Sequence, residues 1–194
     1  EVAPLVGIAR DGLSEPVFSP DGKRLLAVSS WRRKKLEGGG IQRPGPWVIR
    51  VWDSRTMAVT ATLEGREKPA ELPRWSSDGS AILVRFANEI AEFDATTGER
   101  RLTIASENGK PFSSAAFDPT GTNIATTYEG ESAVTLWEAA NGQLLRRLEG
   151  HTSAVTSTLF SPNGGHLVSL SNDRTARLWS PDGDPLHELP HDED

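Results

Sequence analysis

Short runs in which apolar and polar residues alternate fill most of the chain, and clusters of Gly, Pro, Asn and Asp separate them. The pattern is clearest towards the C-terminal end, where the runs cover residues 154–160, 166–171, 175–179 and 185–189. A period of two is typical of a β-strand with one buried face, and the clusters between the runs indicate tight turns. We therefore predict four strands joined by hairpins in this region, and we predict no helix elsewhere.

The same arrangement occurs four times along the chain. An aromatic residue opens a turn that ends in Gly, at 18–22, 75–79, 117–121 and 160–164. A second aromatic follows each turn, and these residues are 41, 44 and 42 positions apart: Trp52, Phe93, Trp137 and Trp179. The strands predicted for the three earlier units are 16–18, 24–29, 47–52 and 57–63; 72–75, 81–86, 89–93 and 100–104; and 113–117, 123–128, 133–137 and 143–148.

A repeat of roughly 40–45 residues with four short strands is the size of one β-propeller blade. We predict an all-β fold with four blades of four antiparallel strands each. The blades form a single array over residues 1–194, with units of approximately 11–65, 66–106, 107–149 and 150–190.

The first unit carries a basic insert at residues 31–46, between its second and third strands. An aromatic anchor and clustered cations favour binding to an acidic protein segment or to phosphate. A solvated loop at a blade edge is the alternative interpretation. The residues of the insert that we predict to contact a partner are Trp31, Arg32, Arg33, Lys34, Lys35 and Arg43.

Composition narrows the classes of function. The net charge of −6 argues against a general nucleic-acid surface, which needs a basic face. The absence of cysteine excludes disulfides, thiol nucleophiles and Cys-ligated zinc, and it is compatible with the cytoplasm, where we expect the protein to act. No apolar run reaches the roughly 20 residues that span a bilayer, so we expect no membrane insertion.

The one motif with a catalytic precedent is His187-Glu188 followed by His191, which matches the spacing of a zinc-protease helix. Pro190 would break that helix, and the repeat places His187 in an outer strand. We therefore predict no enzymatic activity, no metal site and no cofactor.

The last unit resembles the WD-repeat family of β-propellers. The residues that carry the resemblance are Gly150-His151, Ser169, Asp173 and Trp179. In that family such a His, Ser, Asp and Trp form a hydrogen-bonded structural tetrad within the blade, and Ser171 is an alternative to Ser169 because both face one side of the strand. The other units match less well: the third has Glu131 and Trp137, whereas the second also resembles the repeats that accompany TolB and oligopeptidase domains.

Rings in this family mostly close with seven or eight blades, and four are visible in this sequence. Residues 5–10 resemble an outer strand placed ahead of the first unit, so we expect half of a seven- or eight-bladed ring. A four-bladed ring is the alternative, and a disordered leader is the other interpretation of residues 5–10. The resemblance implies a scaffold that binds a protein partner, of unknown identity, through its loops and ring face. Two alternatives stay open: a half-propeller that forms a homodimer of eight blades, and an accessory propeller that gates a larger enzyme.

Overall fold

The computed structural model describes residues 16–29, 47–65, 71–106 and 109–190. Those ranges contain sixteen β-strands and no helix. In chain order the strands are β1 (Val17–Phe18), β2 (Arg24–Ser29), β3 (Trp47–Asp53), β4 (Val59–Gly65), β5 (Glu71–Trp75), β6 (Ala81–Arg85), β7 (Glu89–Asp94), β8 (Arg100–Ala105), β9 (Phe112–Phe117), β10 (Asn123–Tyr128), β11 (Val134–Glu138), β12 (Leu144–Leu148), β13 (Val155–Phe160), β14 (Leu167–Ser171), β15 (Thr175–Trp179) and β16 (Pro185–Pro190).

Each set of four consecutive strands forms one antiparallel sheet in which sequence neighbours pair. We name these sheets blades 1 to 4, and they confirm the predicted all-β architecture of four four-stranded units. The observed strand ends lie within two residues of the predicted ones. The exact unit boundaries stay a prediction, and the strand predicted at residues 5–10 lies outside the described residues.

The turn between the first two strands of a blade explains why the same sequence pattern recurs. In blade 1 the Ser19 hydroxyl donates to Asp21 at 2.6 Å, and Asp21 accepts the N–H of Lys23 at 3.0 Å. Ser76 and Asp78 repeat the first bond at 2.6 Å in blade 2. A short polar side chain that replaces backbone partners stabilises a tight turn, so the Ser and the Asp are local requirements of the fold.

The apolar core lies between successive blades. Alternate residues of each sheet point towards the preceding blade or towards the next one, and we name these two sides the backward face and the forward face. Three clusters of buried residues join blade 1 to blade 2, blade 2 to blade 3, and blade 3 to blade 4. Phe93, Trp137 and Trp179 lie on backward faces and each fills the cluster with the preceding blade.

The two ends of this stack differ. Among the described residues no core cluster joins blade 4 to blade 1. Leu159 and Leu170, on the forward face of blade 4, are 69% and 49% exposed. By contrast, Leu25 and Trp52, on the backward face of blade 1, are buried. The forward face of blade 4 is therefore an apolar sheet face open to solvent.

Candidate functional site

A buried polar network crosses the backward face of blade 4. His151, in the loop before β13, lies 2.9 Å from Asp173 through Nδ1 and 2.8 Å from the Ser169 hydroxyl through Nε2. Trp179, at the end of β15, donates its indole N–H to the same hydroxyl at 2.9 Å. The structure thus brings together the four residues predicted as a tetrad.

The hydrogen bonds of this network all point the same way, from the indole of Trp179 towards the carboxylate of Asp173. The Trp179 N–H can only donate, so Ser169 accepts it and gives its own proton to Nε2 of His151. Nε2 is then the acceptor nitrogen, and Nδ1 carries the proton that is donated to Asp173. In this tautomer each polar group of the network has a hydrogen-bond partner.

Asp173 is the anionic end of the network. Burial opposes the ionisation of its carboxyl group, but the hydrogen bonds from the Thr175 hydroxyl, the Thr152 N–H and His151 outweigh burial and hold its pKa well below the usual range. The same carboxylate also fixes the turn between β14 and β15, where Arg174 adopts a φ of 67°. Asp173 thus links the polar network to the hairpin.

Ser171, the alternative to Ser169, makes different contacts. Its hydroxyl donates to the Ser153 carbonyl at 3.0 Å and accepts the Asp173 N–H at 3.1 Å. Ser171 therefore holds the neighbouring loop, whereas Ser169 lies between the imidazole and the indole.

A serine, a histidine and an aspartate in this order have the geometry of a hydrolase triad. A nucleophile must reach a substrate, but Ser169 is 0% exposed and its oxygen already accepts the Trp179 N–H. The arrangement seals the hydroxyl inside the blade instead of presenting it to a substrate.

The other blades keep parts of the network. In blade 3 the Trp137 N–H donates to the Thr126 hydroxyl at 2.8 Å, while Glu131 pairs with Lys110 and Arg147 at the surface. The sequence pattern did not single out Thr126, although it occupies the strand position of Ser169: each residue is paired with the residue two positions before the tryptophan. Strand register is the signal that would have found it.

A cavity of about 420 Å³ opens where the first strands of blades 2, 3 and 4 approach one another. Its walls are built from β5, the end of β6, β9 and β13. The described residues that line it include two arginines, three apolar side chains and five hydroxyls: Arg74, Arg85, Trp75, Phe117, Leu159, Ser113, Ser114, Thr156, Ser157 and Thr158. This cavity could not be predicted from the sequence, because its residues come from three repeats and match no motif.

Several predicted contacts lie outside the described residues. Trp31, Arg32, Arg33, Lys34, Lys35 and Arg43 belong to that group, as does His191. His187 and Glu188 lie on the outer strand β16, where Glu188 pairs with Arg177. In the part of the chain that the structure describes, no three His, Asp or Glu side chains are grouped to hold a metal ion, and no helix is long and apolar enough to cross a membrane.

Comparison with known proteins identifies relatives that agree with the repeat found in the sequence. The family described as WD domain, G-beta repeat matches residues 142–180. A periodic tryptophan protein 2 homolog of Neurospora crassa is 42% identical over 98 residues, which are 50% of this chain and 10% of that protein. Human apoptotic protease-activating factor 1 is 30% identical over 175 residues, which are 84% of this chain and 13% of that protein.

The periodic tryptophan protein 2 homolog of Caenorhabditis elegans is 26% identical over 84% of this chain, and the match covers 16% of that protein. This chain therefore spans less than a fifth of the length of the relatives described. The matched residues contain the strands β12 to β15 and all four tetrad residues: His151, Ser169, Asp173 and Trp179. Four four-stranded blades, this repeat and these relatives show that the chain is a member of the WD-repeat β-propeller family.

Proposed function

We propose that the chain is a non-catalytic module that binds a protein partner. The observation that carries the proposal is a contrast between two sites. The Ser169–His151–Asp173 array is sealed in a blade, whereas the cavity across β5, β9 and β13 is open to a ligand. Its volume lies in the range of about 300–1,000 Å³ that is typical of ligand pockets, and rigid sheets carry its walls.

A peptide library panned against the protein tests this function. We expect extended peptides with a Kd of about 100 µM or tighter. Their affinity should fall at least about tenfold for Ser157→Trp, which fills the cavity with an indole. Leu145→Trp, at an exposed position of β12, is the matched control and should bind like the parent protein. The absence of any cavity-dependent peptide would contradict the proposal, as would hydrolysis of ester or amide substrates that Ser169→Ala abolishes.

The tetrad of blade 4 has a structural role in this proposal. Trp179→Ala removes a fully buried indole and leaves the Ser169 hydroxyl with one partner fewer, so we expect a loss of about 3–5 kcal/mol in the free energy of unfolding. Trp179→Phe keeps most of the ring and should lose less, about 1–3 kcal/mol. Urea unfolding measures both values. A loss below about 1 kcal/mol for Trp179→Ala would contradict the structural role.

Self-association is a second candidate function, favoured by the exposed forward face of blade 4. The positions equivalent to Leu170 and Leu178 in blade 1, Val28 and Val51, are buried under blade 2. We propose that a second copy of the chain covers this face with its own blade 4. An eight-bladed ring would also need the backward face of blade 1, where Trp52 is already buried, so the ring stays a prediction.

Three further predictions stay open. The basic insert, with Trp31 and its cations, is a second predicted contact for a partner. The cytoplasmic location rests on composition alone. For the accessory role in a larger enzyme, the described residues offer no supporting feature.

A further inference from the structure

The forward face of blade 4 presents eight side chains in two rows that cross the whole sheet. The strand register sets the rows: Leu159, Val168, Leu178 and His187 in one, and Ser157, Leu170, Ala176 and Leu189 in the other. Six of the eight side chains are apolar, and none is Asp, Glu, Lys or Arg. No other described blade covers these rows, and Leu159 and Leu189 are 69% and 57% exposed.

A face without fixed charge is compatible with a copy of itself. A two-fold interface brings the same surface together from both partners, so a charged face would repel its copy. The chain has a net charge of −6, so two copies repel each other through most of the remaining surface. The charged residues in the strands and hairpin turns of blade 4 lie off the two rows: Asp173, Arg174, Arg177, Asp182, Asp184 and Glu188. Arg177 and Glu188 pair with each other on the backward face.

The size of this face suits a weak contact. Four strands about 4.8 Å apart, each about 16–20 Å long, give a flat area of roughly 300 Å². Two such faces in contact bury less than the roughly 1,200–2,000 Å² that is typical of stable interfaces. We therefore expect a reversible association with a Kd near about 100 µM.

Blade 1 does not offer this face a matching surface. One turn position in blades 2, 3 and 4 carries a glycine that lies against the outer strand of the preceding blade. The glycines and their neighbours are Gly98 with Thr62, Gly142 with Leu102, and Gly183 with Leu148. Blade 1 has Met57 at this position. A second copy that stacked its blade 4 on blade 1 in the same geometry would meet the Met57 side chain, whereas contact between two copies of blade 4 avoids it.

His187 is the residue of the two rows that can change its charge near neutral pH. It is exposed and lies between Leu178, its partner on β15, and Leu189, two residues further along β16. Histidine takes up a proton between about pH 8 and pH 5. An apolar surface can cover a neutral imidazole at a modest cost, but a protonated imidazole without a carboxylate partner resists burial. Neither row supplies such a carboxylate.

We propose that two copies of the chain dock through the forward faces of their blades 4 around a two-fold axis, and that protonation of His187 separates them. The inference rests on the self-association proposed above and adds its symmetry and its control by pH. The direction of the effect is specific. The chain has an isoelectric point of about 5.3, so its net negative charge falls in mild acid and general repulsion between copies decreases. Weaker association in acid therefore requires a group inside the contact.

Sedimentation equilibrium at pH 8.0 and pH 5.5 tests the inference. At pH 8.0 we expect about twice the 21.0 kDa of one chain at 100 µM, and at pH 5.5 a Kd that is at least about fivefold weaker. His187→Leu should associate equally at both pH values, and His187→Lys should stay monomeric at both. His166→Gln changes an exposed histidine outside the two rows and should keep the pH dependence of the parent protein. Circular dichroism at both pH values should show the same fold for every variant.

The outcomes separate the two proposals. A parent protein that is monomeric at pH 8.0 would overturn self-association and this inference with it. A dimer of equal strength at both pH values would overturn the control by His187 and leave self-association intact. Loss of the pH dependence in His166→Gln would overturn the assignment to His187. Met57→Gly should leave a two-fold dimer unchanged; assemblies larger than two copies in this variant would show that blade 4 stacks on blade 1 instead.

Discussion

Position 27 of blade 1 carries an alanine where blades 3 and 4 carry a hydroxyl. Ala27 pairs with Arg50, two residues before Trp52, just as Ser169 pairs with Arg177, two residues before Trp179. The indole N–H of Trp52 is buried and has no hydrogen-bond partner among the residues that the structure describes, although the indole N–H of Trp179 has one. A buried donor without an acceptor destabilises a fold, so we expect this position to weaken blade 1 locally.

A single substitution should correct that weakness. Ala27→Ser adds an acceptor at the register that serves Trp179, and we expect the free energy of unfolding to rise by about 0.5–1.5 kcal/mol in urea denaturation. Val84→Ser is the matched control because Val84 occupies the equivalent strand position of blade 2: it pairs with Ala91, two residues before Phe93, and Phe93 has no side-chain N–H to donate. That variant should destabilise the protein. If both variants lost stability equally, the missing acceptor would not be the cause.

Asp173 should make the stability of blade 4 depend on acid. Its pKa is lowered in the folded state, so its contribution is complete above the unfolded pKa of about 3.9 and is lost as the pH falls below that value. Asp173→Asn should therefore be clearly less stable than the parent at pH 7, and the difference should shrink between pH 5 and pH 2.5. Urea midpoints across this range measure the difference. A constant difference would show that ionisation of Asp173 does not stabilise the fold.

The residues of the tetrad could be predicted because they stand in a local pattern that one repeat preserves almost intact. Thr126 escaped prediction because its role depends on the pairing of β10 with β11, and the register becomes known only with the structure. Arg74 and Arg85 were missed for a related reason: neither is special within its own repeat, and only the stacking of blade 2 on blade 3 places both at one cavity.

At the scale of elements, the hairpin between the third and fourth strands of a blade requires a residue with a positive φ to close its turn. In the turn after β3 the backbone N–H of Met57 donates a hydrogen bond to the backbone carbonyl of Asp53. In the turn after β7 the N–H of Gly98 donates in the same way to the carbonyl of Asp94. The residue at this position has a positive φ in both turns, 57° for Met57 and 75° for Gly98. Because Met57 belongs to this turn, the strand starts only after it. β4 therefore begins at Val59, two residues later than the apolar pattern predicted.

Gly98 has a second requirement that most turn glycines lack. A β-carbon at Gly98 would lie 2.6 Å from the Thr62 carbonyl oxygen of blade 1, whereas a β-carbon at Gly22 would have no neighbour within 4 Å. Both have a positive φ, so Gly22→Ala should cost about 1 kcal/mol for backbone strain alone. Gly98→Ala should cost at least about 2 kcal/mol more, because backbone atoms of two blades must separate. Thermal unfolding of the pair measures the difference; equal losses would show that the close contact carries no energy.

At the scale of the molecule, the sequence predicts the number of blades but says little about their ends. The number of strands can be predicted from the repeat because the same pattern of aromatic residues and turns occurs once in each blade. At the end of the stack, Leu159, Leu170 and Leu178 look like ordinary core residues in the sequence. Only the fold shows that they lie on a face that no other described blade covers. The alternation of apolar and polar residues predicts a strand with an apolar face, but it does not show which blade, if any, packs against that face.

Covering that face with a second copy should be visible in solution. We expect light scattering after size exclusion to give about twice the 21.0 kDa of one chain at concentrations near 100 µM, falling towards one chain on dilution. Leu170→Glu places a charge in the centre of the apolar face and should leave a monomer. Leu145→Glu is the matched control, since Leu145 is 52% exposed against 49% for Leu170 but lies on the outer strand of blade 3, and this variant should still associate. A parent protein that stays at 21.0 kDa throughout would contradict self-association, as would loss of association in both variants.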